Sequence, residues 1–383
     1  MSYIYEYIIT FVLAFIVSFS ATPMVRRLAF KVGGVDVPRD NRRMHKKPIA
    51  LMGGLAIIAG FVISLIFDLV TTSNIITPGK EIVGLMAGIA IIAFMGVLDD
   101  INTLNAWTKL AFQLAAAICV VAISGTRISV VTNPFGSDPY IELSPFISIP
   151  LTVIWIVGIT NAINLIDGLD GLAAGVSSIS SLSLFFVSIL RGDLDPTVAI
   201  YTALITAALA GSTLGFLPFN FNPAKIFMGE TGAAFLGFTL GVISIQGAMK
   251  SYTAISIAIP LLVLGLPLFD TVFAIIRRIL SRKPIMQADR GHLHHRLIDM
   301  GLSQKQSVLI MYIASASLGL CAIVLADRGA ISAIILLLAV SVFVVGGTKY
   351  MNYRGLTGNV DETQSKATLP DSKAKKSSDG VTK

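Results

Sequence analysis

Residues 161–175 read NAINLIDGLDGLAAG. The stretch carries an amide and two carboxylates, Asn164, Asp167 and Asp170, three residues apart. Positions i and i+3 share a helix face, so on a helix the three would point the same way. Gly168 and Gly171 weaken a helix here and let backbone or ligand approach closely. The motif lies between two apolar runs, Phe146–Thr160 and Leu172–Leu190, each long enough to cross a bilayer when extended slightly into it. Carboxylates beside a membrane span are expensive unless they serve a function.

Composition agrees with a membrane setting. Of 383 residues 54% are apolar and 13% charged, against about 25% charged in a soluble domain. Mean hydropathy is +0.80. Eleven runs read as spans: Ile4–Pro23, Ile49–Val70, Ile82–Leu98, Trp107–Ser124, Phe146–Asn164, Leu172–Leu190, Thr197–Leu217, Thr231–Met249, Thr253–Ile276, Ser307–Ala326 and Ile331–Gly347. The first lacks a basic n-region and a small-residue cleavage site, so it reads as a retained span. Cys119 and Cys321 both sit in apolar runs and lack zinc spacing.

Charge orients the spans. Met24–Pro48 carries eight Lys or Arg, Arg277–Lys305 seven and the tail after Gly347 seven. With Lys109 and Lys225, 24 of the 29 basic residues fall on one side. The positive-inside rule places that side in the cytosol and the N-terminus outside, as an odd span count requires. The net charge of +7 thus follows the membrane and is no nucleic-acid signal. The expected fold is all-α and polytopic, with about eleven transmembrane helices and a cytosolic C-terminus. It comprises one transmembrane domain over residues 1–350 and a Lys/Ser/Asp-rich disordered tail over 351–383. Short alternating runs in Arg127–Pro145 predict a small outer β-hairpin.

On that topology the polar clusters share the cytosolic face. They are Asp99 and Asp100; Asn164, Asp167 and Asp170; Asn220, Asn222, Lys225 and Glu230; Asp289, Arg290, His292, His294 and His295; and His45, Lys46 and Lys47. Taken alone, each has a plain structural reading: a helix cap, a wet basic loop, a topology determinant. Their shared sidedness favours one site at the lipid boundary. Adjacent carboxylates suit Mg²⁺, which takes one or two of them and leaves the rest of its sphere to water and phosphate. Lysines and histidines suit a phosphorylated substrate. The chemistry indicated is metal-assisted phosphoryl transfer between a cytosolic and a bilayer substrate. A transporter would place its polar groups near the midplane and often shows repeats, which are absent here. A non-catalytic scaffold would tolerate substitution of the acids.

Six stretches between about Gly33 and Met311 resemble the polyprenyl-phosphate N-acetylhexosamine-1-phosphate transferases. They are MHKKPIALMGG (44–54), GVLDD (96–100), NAINLIDGLDGLAAG, FNPAKIFMGETG (221–232), PLFDT (267–271) and DRGHLHH (289–295). DRGHLHH and eleven spans are similar to the bacterial branch that starts teichoic acid, O-antigen or related glycopolymers. The phospho-MurNAc-pentapeptide transferases, with three consecutive histidines and ten spans, fit less well; another UDP-linked N-acetylhexosamine is a further alternative. The resemblance implies transfer of N-acetylglucosamine-1-phosphate from UDP-N-acetylglucosamine to undecaprenyl phosphate, with release of UMP and with Mg²⁺ or Mn²⁺ as cofactor. It implies that Asp99 deprotonates or orients the lipid phosphate, Asp100 holds or positions the metal, and Asn164 and Asp167 line the diphosphate and metal region. Asp170 would bond the uracil edge, with Phe227 stacked on the base and Lys109 neutralising phosphate. Asp289, Arg290, His292, His294 and His295 would meet the sugar phosphate, and His45 and Lys47 the lipid phosphate. The implied metal set is Asp100, Asp167 and Glu230, with Glu230 standing where the family usually has Asp. The implied partners are the two substrates and the bilayer of the bacterial cytoplasmic membrane, with a homodimer left open and no nucleic acid.

Overall fold

A computed structural model describes residues 3–37, 47–71, 79–132, 140–191, 196–248, 255–281 and 291–353. The elements run α1 (Ile4–Val32), β1 (Val35–Asp36), β2 (Ile49–Ala50), α2 (Gly54–Thr71), α3 (Lys80–Ile101) and α4 (Ala106–Ser124). Next come β3 (Val130–Thr132), β4 (Tyr140–Glu142), α5 (Pro145–Ile166), α6 (Leu172–Leu190), α7 (Pro196–Asn220) and α8 (Gly229–Ala248). The series closes with α9 (Ile255–Val263), α10 (Gly265–Leu280), α11 (Leu293–Asp299), α12 (Gln304–Arg328) and α13 (Ala330–Tyr353). The chain divides into one compact unit over Met1–Ala333 and a second over Ile334–Lys383. The tail beyond Tyr353 lies outside the described residues.

Eight helices among the described residues are long and apolar enough to cross a membrane: α1 to α7 and α12. They coincide with eight of the eleven expected spans. The other three expectations fall on α8, on α9 with α10, and on α13. The run Thr253–Ile276 is therefore two helices rather than one. Pro267 has no N–H to bond the carbonyl of Val263, and the break falls at Leu264.

α8 is the centre of the first unit. Ala234, Phe235, Leu236, Phe238, Leu240 and Val242 are fully buried, and they share one continuous apolar core with α2, α3, α5 and α7. Lipid provides no hydrophobic drive between helices, so close contact through small residues takes its place. A Cβ on Gly237 would stand 2.6 Å from Thr160 Cα, so α8 and α5 touch backbone to backbone.

Local chemistry sets the helix ends. Asn105 caps α4, its side chain accepting from Thr108 N at 2.8 Å. Ser303 and Gln306 form a capping box at the start of α12. The expected hairpin is present: β3 and β4 pair antiparallel, Val131 opposite Ile141. A second pair, β1 with β2, was not anticipated.

The polar face proposed for Asn164, Asp167 and Asp170 takes another form. α5 stops at Ile166, with Asp167 at its C-cap, and α6 begins at Leu172. Gly171, at φ 81°, makes the left-handed turn between them. The three polar groups converge around a turn, not along one helix.

Candidate active site

Four stretches far apart in sequence meet at the start of α8. The strand-like segment around Ala50 pairs with residues 226–228. Phe227 N donates to Ala50 O at 2.9 Å, Gly53 N to Phe227 O at 3.0 Å and Gly54 N to Met228 O at 2.9 Å. A Cβ on Gly54 would come within 2.1 Å of Gly232 N, so the second glycine of 53–54 fits where no side chain can. Asp100, from the end of α3, caps α8. Its Oδ1 accepts from Glu230 N at 2.7 Å, and its Oδ2 accepts from Thr231 Oγ1 at 2.6 Å and Thr231 N at 3.3 Å. Gly229 has φ 68°, and a Cβ there would stand 2.5 Å from both Asp100 oxygens. An anion at a helix N-terminus meets both free N–H groups and the positive end of the dipole.

That cap sets Glu230 in place. Its Oε1 accepts from Asn164 Nδ2 at 2.7 Å and its Oε2 from Lys109 Nζ at 3.1 Å. Lys109 also donates to Asp99 Oδ2 at 3.0 Å, while Asp99 Oδ1 accepts from Leu104 N at 2.7 Å. One ammonium thus lies between two carboxylates.

Beside them a cavity of about 510 Å³ is lined by Asn164, Asp167, Asp170, Phe227, Glu230 and His295, and also by Asp36, Asn222 and Gln304. Asp167 is half-buried, and its carboxyl is pushed up to about 7 by burial first, then by the negative charges of Glu230, Asp100 and Asp170. Asp170 Oδ2 accepts from Asn222 Nδ2 at 2.9 Å and Ala224 N at 3.0 Å, which fixes the loop carrying Phe227.

The histidines divide by task. His292 precedes α11, and its Nδ1 lies 2.9 Å from Asp270 Oδ2; Leu293 N donates to Asp270 Oδ1 at 2.8 Å. This accounts for the PLFDT stretch, whose Asp pins the histidine loop to α10. His294 is 2% exposed. Its ring lies against Gly168, where a Cβ would stand 2.5 Å from Nε2. Burial, then the neighbouring His295, lowers its pKa to about 4, so it stays neutral. His295 is the member of the three that lines the cavity. Of the three histidines expected to meet a ligand, His295 lines the cavity while His292 and His294 are buried.

The remaining expected site residues lie elsewhere. Asp99, Asp100 and Lys109 are not among the lining residues; Asp100 and Lys109 bond Glu230, and Asp99 bonds Lys109. Lys47 is exposed and is not among the lining residues. His45, Asp289 and Arg290 fall outside the described residues. Asp36 and Gln304 were missed. Asp36 sits in a segment read only for its basic charge. Gln304 follows Ser303 in the S-x-x-Q pattern that marks a helix start, a signal that would have set it beside the histidine loop.

The membrane helices and the acidic cavity at the base of α8 define a class, and comparison with known proteins agrees with it. The profile of glycosyl transferase family 4 matches residues 82–248, and the chain belongs to that family. It is 43% identical over 324 residues to the probable undecaprenyl-phosphate N-acetylglucosaminyl 1-phosphate transferase of Bacillus subtilis, covering 84% of this chain and 86% of the relative. It is 37% identical over 317 residues to the decaprenyl-phosphate N-acetylglucosaminephosphotransferase of Mycobacterium tuberculosis, covering 78% of each. The undecaprenyl-phosphate alpha-N-acetylglucosaminyl 1-phosphate transferase of Escherichia coli O157:H7 is 29% identical over 293 residues, covering 76% of this chain and 77% of the relative.

Proposed function

We propose that the chain transfers N-acetylglucosamine-1-phosphate from UDP-N-acetylglucosamine to undecaprenyl phosphate and releases UMP. In this reading it works at the cytosolic face of the bacterial cytoplasmic membrane, with eleven spans and an outer N-terminus. It opens the synthesis of a cell-envelope glycopolymer of the teichoic-acid or O-antigen type. The observation that carries the reading is the convergence of Asn164, Asp167, Asp170, Phe227, Glu230 and His295, from three motif stretches, on one cavity. The relatives' names supply the substrates.

The donor set fits a small hard cation. The Asp167 carboxyl is pushed up first by burial and then by the negative charges of Glu230, Asp100 and Asp170, and a divalent ion would relieve that repulsion. Among the described residues no three acidic, His or Cys side chains stand at metal-holding spacing. A cation here takes one or two carboxylates and leaves its other positions to water and phosphate, the habit of Mg²⁺. Asp167 and Glu230 would be those carboxylates. Asp100, expected to hold the metal, has both oxygens engaged by α8 and serves to position Glu230. Bound Mg²⁺ supplies charge neutralisation of the diphosphate.

The reaction is a displacement at the phosphorus that carries the sugar. An oxygen of the lipid phosphate forms the new P–O bond. The bond from that phosphorus to the bridging oxygen breaks, and UMP departs with the electron pair. Such transfer rests on positioning and charge neutralisation more than on covalent chemistry. Lys109 is the ammonium at hand for the phosphate charge. Asp99 orients it, and its tie to Leu104 N and Lys109 suits orientation better than proton removal. His295 and Phe227 both line the cavity; His295 would meet the sugar phosphate and Phe227 would stack on the base.

The test is UMP release by purified protein from UDP-N-acetylglucosamine, with and without undecaprenyl phosphate and with Mg²⁺ or chelator. Release that requires both lipid and metal is expected. Failure in the wild type, with recovery in Glu230→Asp, would mark an impaired transferase; failure in both would refute the assignment.

A further inference from the structure

Gln304 reaches the cavity from the first turn of α12, outside every motif that carries the family resemblance. Asn222 Nδ2 donates to Gln304 Oε1 at 2.7 Å and to Asp170 Oδ2 at 2.9 Å. Ala224 N holds the same Asp170 oxygen at 3.0 Å. One amide nitrogen thus fixes two side chains at once. With Oε1 engaged, Gln304 retains the two hydrogens of Nε2; with Oδ2 engaged, Asp170 retains Oδ1 as an acceptor. All three residues line the cavity together with Phe227. The result is a rigid edge with one donor beside one acceptor, next to an aromatic ring.

That edge has a definite complement. The imide side of uracil presents an N–H flanked by carbonyl oxygens. Its N–H matches Asp170 Oδ1 and a carbonyl matches Gln304 Nε2. Cytosine presents an unprotonated ring nitrogen there, which sets an acceptor against the Asp170 carboxylate. We infer that Gln304, aligned by Asn222, is a specificity-determining residue that reads a carbonyl of the uracil base. The inference rests on the reading of a UDP-sugar as donor substrate.

The experiment is calorimetric binding of UMP, CMP and N3-methyl-UMP to the purified full-length protein with Mg²⁺. Wild type should bind UMP in preference to the other two. Removing one neutral hydrogen bond costs about 1 kcal/mol, or roughly fivefold in affinity. Gln304→Ala should therefore weaken UMP about fivefold and leave CMP within twofold, so the UMP-to-CMP ratio contracts. Gln304→Met, which keeps the side-chain volume, should contract it equally. In turnover the loss should appear in KM for UDP-N-acetylglucosamine, not in kcat. Equal weakening of UMP and CMP, or a fall in kcat at an unchanged ratio, would make Gln304 a prop for the Asn222 loop and overturn the inference. Wild type that binds UMP and CMP alike would overturn it while the transferase reading stands. Wild type that binds neither would overturn both.

Discussion

Asp100→Ala separates a capping carboxylate from a metal ligand. The change removes three hydrogen bonds at the start of α8, at 2.6, 2.7 and 3.3 Å. Bonds to a charged group contribute about 1.5–3 kcal/mol each, and the longest contributes least. The dipole interaction at a helix N-terminus adds up to about 2 kcal/mol in a partly buried setting. Against this, the variant is spared the desolvation of a buried carboxylate, several kcal/mol, and its repulsion by Asp167 and Glu230. The net expectation is a loss of about 2–4 kcal/mol. The assay is thermal unfolding in detergent, paired with Mn²⁺ binding followed by electron paramagnetic resonance. The unfolding midpoint should fall by a few degrees. Mn²⁺ affinity should fall much less than in Asp167→Ala or Glu230→Ala, since Asp100 acts on the cation only by placing Glu230. An unchanged midpoint with lost Mn²⁺ binding would refute the reasoning.

Asp167 gives a pH dependence. Its folded-state pKa is raised from 3.8 to about 7, so the folded, metal-free protein holds a proton that the unfolded chain has released. Stability is then greatest below pH 4 for this group and declines as pH rises to about 7, by at most about 4 kcal/mol. Asp167→Asn should flatten that slope in denaturation measured across pH, and Mn²⁺ affinity of the wild type should rise through the same window. His294→Ala should act on stability, at about 2–4 kcal/mol for a buried ring lost from beside Gly168; His295→Ala should leave the unfolding midpoint near wild type and raise KM for UDP-N-acetylglucosamine. Gly54→Ala should prevent accumulation of folded protein, because its methyl would overlap Gly232 N at 2.1 Å and the facing atoms are backbone.

Much of this was legible in the sequence, for physical reasons. Spans are marked by length and hydropathy, and eight of the expected runs fall on helices that meet both measures. The acids were identifiable because a carboxylate beside lipid is costly without a partner. Close-range geometry was not legible. The period of Asn164, Asp167 and Asp170 suggested one helix face, and only the left-handed turn at Gly171 shows how they meet. Asp99 and Asp100 read alike in GVLDD, yet one faces Lys109 and the other the N-terminus of α8. The three histidines read as one cluster, yet two of them are buried and one lines the cavity. Asp36 and Gln304 lie outside the motifs that carry the family resemblance, and the S-x-x-Q pattern around Gln304 marks a helix start without marking a cavity.

The longer arm of Glu230 has a consequence for Lys109. Its two oxygens join α5 to α4 through Asn164 and Lys109. Lys109 is held twice, by Glu230 Oε2 and by Asp99 Oδ2, and it keeps Asp99 as a tether whenever the contact with Glu230 is lost. An ammonium on one tether reaches farther than one on two, so the second contact of Glu230 bears on how far that positive charge can travel.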